Sequence, residues 1–129
     1  MHRSVRIFAA LAILGLASPA LADQHMHASA AKATTLTGEI VDTGCYMAHE
    51  AHGEKHVSCA TKCINNGMPM GLLMSDGTLY LLTMSHDNAD PYNSMKKMAG
   101  KTVKVTGETM ARGGMKAIQV DAVQLAAAK

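Results

Sequence analysis

Six thiol and imidazole side chains stand at alternating gaps of four and three residues: Cys45, His49, His52, His56, Cys59 and Cys63. On an α-helix, residues three and four apart share a face. Thiolates and imidazoles are the side chains that hold zinc, copper and nickel. The stretch C-Y-M-A-H-E-A-H-G-E-K-H-V-S-C-A-T-K-C is therefore where this chain points to chemistry, and that chemistry is metal binding or thiol redox.

A straight helix over residues 45–63 would string the donors along about 27 Å at 1.5 Å per residue. Ligands of one ion sit only about 2.0–2.3 Å from it. Gly53, a poor residue for a helix interior, divides the segment. The spacing predicts a short turn or helix, a bend near Gly53, and a second helix from about Glu54 to Asn65. On the second helix His56, Cys59 and Cys63 share a face, and Cys45 can join them from the other arm. Three thiolates and an imidazole are a common tetrahedral set for zinc, and soft ligands of this kind also suit Cu(I). His49 and His52 are further candidates on the first arm.

Two rival readings use the same cysteines. Three is an odd count. Cys45 can pair with Cys59 or Cys63 in a disulfide that staples the segment, typically contributing about 2–4 kcal/mol. A Cys59–Cys63 bridge is disfavoured, because side chains on successive helix turns point in nearly parallel directions. A thiol oxidoreductase is the third reading, with Cys59 or Cys63 left free and activated by His56. There is no C-x-x-C and no C-x-x-C-H, so neither a thioredoxin-like motif nor covalent c-type haem is indicated. No serine nucleophile motif, phosphate-cradling glycine loop or carboxylate pair marks another enzyme class, so the balance lies against an enzyme.

The N-terminus reads as an address. Arg3 and Arg6 precede an apolar run from Ile7 to Leu16, and Ala20-Leu21-Ala22 is a small-x-small cleavage signal. This is the pattern of a secretory signal peptide, residues 1–22, cut after Ala22 and suited to a bacterial periplasm. No later stretch is apolar and long enough to span a bilayer. Beyond Ala22 the ten Lys and Arg balance the ten Asp and Glu, and the aromatic residues are Tyr46, Tyr80 and Tyr92. A nucleic-acid surface needs a basic face and usually stacking rings, and neither is present. A chain cut after Ala22 begins Asp23-Gln24-His25, whose amine, two amides and imidazole form a planar nitrogen set suited to Cu(II) and Ni(II).

The remaining elements must position the donors. Residues 23–34 are small and polar and read as a flexible tail. Residues 35–125 read as one domain with an insertion over 44–67. Strand one runs from Leu36 to Asp42, and Asn65-Asn66-Gly67 ends the insertion. Met70–Ser75 and Thr78–Met84 flank Asp76-Gly77, a hairpin signal. Asp90 as N-cap, Pro91 as first helical residue and Gly100 as stop delimit a short helix. Thr102–Met110 and Met115–Leu125 flank Gly113-Gly114. The methionines read mostly as packing in a core without Phe or Trp, Met74 and Met95 especially, while Met47, Met68 and Met70 flank the Cys/His segment as possible ligands.

Five strands with a helix between the third and fourth match the plan of an OB-like barrel, mainly β, with a Cys/His-rich helical insertion after strand one. An open antiparallel sheet with a helix on one face is the alternative. C-x-x-x-C with Met70 seven residues after Cys63 resembles the binuclear copper loop of oxidases and exported copper-delivery proteins. The intervening His of that loop is Gly67 here, so a binuclear site is not carried over. The chain as a whole resembles the small periplasmic OB-fold copper-binding chaperones: exported, rich in Met and His, and built on five short strands. That family places its ligands, a Trp among them, on barrel strands, so the resemblance implies fold and compartment more than a ligand set. Together these readings give an exported metal-binding protein that sequesters or delivers copper, with zinc as the alternative and another envelope metalloprotein as partner. The competing expectation is a non-catalytic, disulfide-stapled binding module of the envelope.

Overall fold

The computed structural model describes residues 33–127. The signal segment, the tail up to residue 32 and His25 lie outside the described residues. The chain runs β1 (Thr34–Asp42), α1 (Thr43–His49), a 3-10 turn (Glu54–His56), α2 (Val57–Asn65), β2 (Met70–Leu73), β3 (Leu79–Met84), α3 (Asp90–Met95), β4 (Thr102–Arg112) and β5 (Met115–Leu125). The strands close into a barrel in the order β1-β2-β3-β5-β4. All pairings are antiparallel except β3 with β5, which run parallel. The expected OB-like barrel is thus present, with the Cys/His insertion after β1 and a helix between β3 and β4.

The alternation of β4 and β5 explains the interior. Val103, Val105, Ile118 and Val120 point inward and are fully buried, beside Ile40, Leu72, Met70 and Met95. No side chain larger than methionine or leucine lies among the fully buried ones, so a narrow barrel can close around them. Met70 is therefore part of the core, not a ligand beside the insertion. Met95 packs in the core as expected, and Met74 is half-buried.

Several boundaries differ from the sequence reading, three of them with a visible local cause. β1 starts at Thr34 because Thr34 and Thr35 pair with Gly107 and Thr106, and the two hydroxyls of Thr35 and Thr106 meet at 2.9 Å. Apolar content alone marks only the later part of that strand. Asp90 is the first helical residue, not the cap: its amide donates to Asn88 Oδ1 at 3.0 Å. α3 also ends at Met95 rather than near Gly100. Beyond it the chain tightens into i→i+3 bonds (Lys97 N to Ser94 O at 3.3 Å, Met98 N to Met95 O at 2.8 Å). This winding delivers the Gly100 amide to Ile40 O at 2.7 Å, locking the approach to β4 onto β1.

The insertion folds as two arms. Gly53 has φ 77° and ψ −177°, a region essentially closed to residues with a Cβ, and the chain reverses there. Its amide donates to Glu39 Oε1 at 2.5 Å, so β1 itself holds the bend. Gly100 makes a second tie, because a Cβ there would lie 2.5 Å from Val57 Cγ2 at the start of α2. α2 ends in a Schellman arrangement, with Gly67 N bonded to Ile64 O at 3.0 Å and Met68 N to Cys63 O at 2.9 Å. Ala60 and Ile64, four apart on α2, are sunk in the barrel core. The adjacent face of the same helix carries Cys59 and Cys63.

Candidate metal centre

α1 starts where β1 stops, and Asp42 belongs to both. Its backbone is extended, and its Oδ1 accepts the Cys45 amide at 2.7 Å, the bond of a helix N-cap to the third helical residue. Thr43 fastens the same turn through its amide and hydroxyl, both bonded to Pro69 O at 3.0 Å. Cys45 is thereby fixed in the first turn of α1, facing α2.

The two arms bring Cys45, Cys59 and Cys63 together, their sulfurs all within 4.8 Å of one another. Three thiolates around one ion, each about 2.3 Å from it, are separated by about 3.8–4.0 Å. Small rotamer adjustments therefore suffice to close the set on an ion. Cys59 is exposed and the other two are half-buried, so the trio opens to solvent on one side. All three are free thiols, and the expected Cys45 disulfide to Cys59 or Cys63 is not formed. A disulfide needs sulfurs about 2.05 Å apart with a fixed dihedral. Here three sulfurs converge from two separately anchored helices and none is bonded to another.

A second group shares one vertex with the first: Asp42, Cys45 and His56 also lie within 4.8 Å of one another. His56 Nε2 is 3.1 Å from Asp42 Oδ2. His56 thus lies beside both Asp42 and Cys45, while Cys59 and Cys63 join Cys45 in the other group. Asp42 is the residue that sequence reasoning missed as part of the site. Its signal was present in the pattern Asp42-Thr-Gly-Cys45, an acid three residues before a thiol at a strand-to-helix junction. It is fully buried, with one carboxylate oxygen on Cys45 and the other on His56.

The remaining candidates are placed elsewhere. His49 is exposed at the end of α1. His52 is mostly exposed, with Nδ1 3.5 Å from Glu39 Oε2 and its ring edge-on to Tyr46 at 6.3 Å. Neither falls in a donor cluster, and His52 instead helps Glu39 hold the bend. Met68 is partly exposed and lies against Gly44, next to Cys45. Met47 projects from α1 into solvent.

The electrostatics favour the protonated forms of Cys45 and Cys63. A hydrogen bond to the Asp42 carboxylate, then burial, then the Asp42 charge push Cys45 up to about 12. Burial and a hydrogen bond with Cys59 also raise Cys63. This is the reverse of an activated nucleophile, whose thiol is lowered by a nearby cation or helix N-terminus. A cation entering the site must displace these protons, so its apparent affinity should climb with pH. The expected slope is about tenfold per pH unit for each proton displaced, across pH 6–8. Competition titrations at several pH values measure it, and an affinity that stays flat over that range would show that these thiols are not the ligands.

Comparison of the chain with protein-family models, curated proteins and solved structures yields no match. What fold and site define together is a class: a closed five-stranded barrel carrying a Cys/His/Asp cluster able to hold a metal ion. No helix among the described residues is long and apolar enough to cross a membrane.

Proposed function

We propose that this protein is an exported carrier for a soft metal ion, Cu(I) first and Zn(II) second, held as cargo by Cys45, Cys59 and Cys63. The observation that carries the reading is the convergence of three free thiols, one of them exposed, between α1 and α2. Thiolate sets select Cu(I) and zinc, while Mg²⁺ and Ca²⁺ require oxygen ligands. The exposed Cys59 gives a partner's donor a first sulfur to displace, so transfer can proceed one ligand at a time. Asp42 orients both Cys45 and His56, the role that outer carboxylates play around metal ligands. Export to the periplasm rests on the basic start, apolar run and Ala20-Leu21-Ala22 of the N-terminus. Another envelope metalloprotein is the natural recipient.

The test is stoichiometry under anaerobic conditions. Reduced full-length protein titrated with Cu(I) should take up one ion tightly in native mass spectrometry, with three thiols protected from alkylation. Protein that binds neither Cu(I) nor Zn(II) stoichiometrically ends the proposal. The disulfide-stapled module would instead show one free thiol after denaturation of protein purified without reductant.

A further inference from the structure

β4 outruns its neighbour β1. Thr102–Gly107 pair with β1, but Glu108–Arg112 continue past Thr34 with only β5 beside them among the described residues. Two bonds fix which way the backbone groups point. Lys101 O accepts the Ile40 amide of β1 at 3.1 Å, and Thr102 O accepts the Ala126 amide on the β5 side at 3.0 Å. Successive residues of a strand turn their N–H and C=O to opposite edges, so the odd-numbered residues of β4 face β1. The bulge leaves this intact: Thr106 pairs with Ala122 and Gly107 with Val120, so the extra residue, Asp121, lies in β5. Beyond Gly107 the same edge continues through Thr109 and Ala111. Their amides and carbonyls have no partner on that side among the described residues. Such an edge is a template for another strand.

The side chains indicate which strand fits. Glu108, Met110 and Arg112 alternate with the buried set Val103, Val105 and Gly107, and so share the outer face of β4. Met110 and Arg112 are exposed and Glu108 is half-buried. Glu108 and Arg112 stand about 13 Å apart along an extended strand, too far to pair within one chain. Neither has an ion-pair partner among the described residues. We propose that this edge binds the same edge of a second copy of the chain, antiparallel and centred on Met110. In that register Thr109 of each copy faces Ala111 of the other, each such pair exchanging two N–H···O bonds. Glu108 of each copy meets Arg112 of the other at a non-hydrogen-bonded pair, where side chains approach most closely. A one-residue slip sets inward-facing backbone groups against outward-facing ones, and a two-residue slip breaks both ion pairs. Backbone parity and charge therefore select one register. The contact is self-complementary and uses up the edge, so assembly stops at two copies. It is small beside stable interfaces of about 1,200–2,000 Å², so the dimer forms at high concentration and weakens with salt. The inference does not depend on metal binding.

Sedimentation of full-length, metal-free protein, kept reduced to exclude intermolecular disulfides, should show a monomer–dimer equilibrium between micromolar and millimolar concentration. Hydrogen exchange at the Thr109 and Ala111 amides should slow as concentration rises. Glu108→Arg and Arg112→Glu each set like charges opposite one another twice, and each should weaken dimerisation by about tenfold or more. A mixture of these two variants regains both opposite-charge pairs and should dimerise about as well as the parent. Ala111→Pro removes an amide that makes no ladder bond within the barrel, and should leave a folded monomer. A chain that stays monomeric at millimolar concentration overturns the inference. So does a dimer indifferent to the charge reversals, or a mixture that fails to pair. Thr109 and Ala111 amides protected equally at every concentration overturn it too, and give the edge to the chain preceding Thr34.

Discussion

Changing Cys59 and Cys63 together to Ser is expected to lower Cu(I) affinity by on the order of 10⁴-fold while leaving the barrel folded. Structural thiolate and imidazole sites bind zinc with about 10–16 kcal/mol over four ligands, so two lost ligands remove roughly 6 kcal/mol. The fold should survive because α2 is anchored by Ala60 and Ile64, not by its sulfurs. Cys45→Ser alone should cost about a hundredfold by the same reasoning. His56→Ala should cost less than either, since His56 lies beside Asp42 and Cys45 but is not a member of the three-sulfur group. Competition against a chromophoric Cu(I) chelator under anaerobic conditions ranks the variants. A double Ser variant that binds like the parent sinks the site, and a His56→Ala loss equal to that of Cys45→Ser would restore the tetrahedral set suggested by spacing alone.

The second large effect belongs to Asp42. Asp42→Ala removes a helix cap, typically about 1 kcal/mol, and strips His56 of a buried partner, about 1–3 kcal/mol more. We expect a loss of about 2–4 kcal/mol, which for a domain of this size lowers Tm by at least about 8 °C. Asp42→Asn keeps an acceptor for the Cys45 amide and should lose much less stability. It removes the negative charge, however, and the hydrogen bond that does most to raise the Cys45 thiol. Cys45 should therefore ionise at lower pH and alkylate faster at pH 8, while metal affinity falls about 10–100-fold. Thermal unfolding, alkylation rate at Cys45 and metal competition read the three effects separately. If Cys45 reacts no faster in Asp42→Asn, the carboxylate is not what holds its proton.

Much of the site was legible before any fold was known, because its logic is local. The 4-3 spacing of Cys45 to Cys63 marks helices, and Gly53 marks the bend that a cluster needs. The Asn-Asn-Gly stop and the Asp-Gly and Gly-Gly turns likewise act through their own backbone. What escaped depends on distant parts of the chain. Asp42 looks like any acid at the end of a strand until α2 brings His56 against it. Met70 looks like a ligand by its distance from Cys63, but β2 pairs with β1 and turns its side chain into the core. The parallel pairing of β3 with β5 joins strands separated by α3 and β4, and no periodicity announces it. Met110 and Met115 fit an alternating strand pattern equally well inside or outside. Only the closed barrel shows which face is solvent.

Ala60 and Ile64 hold α2 in the barrel's buried core by contacts that do not involve the sulfurs on the neighbouring face of their helix. The sulfurs are thus stationed beforehand by hydrophobic burial, unlike a zinc finger, whose chain acquires its shape from its ion. In the proposed carrier, release of the ion would therefore leave the packing of α2 against the barrel in place.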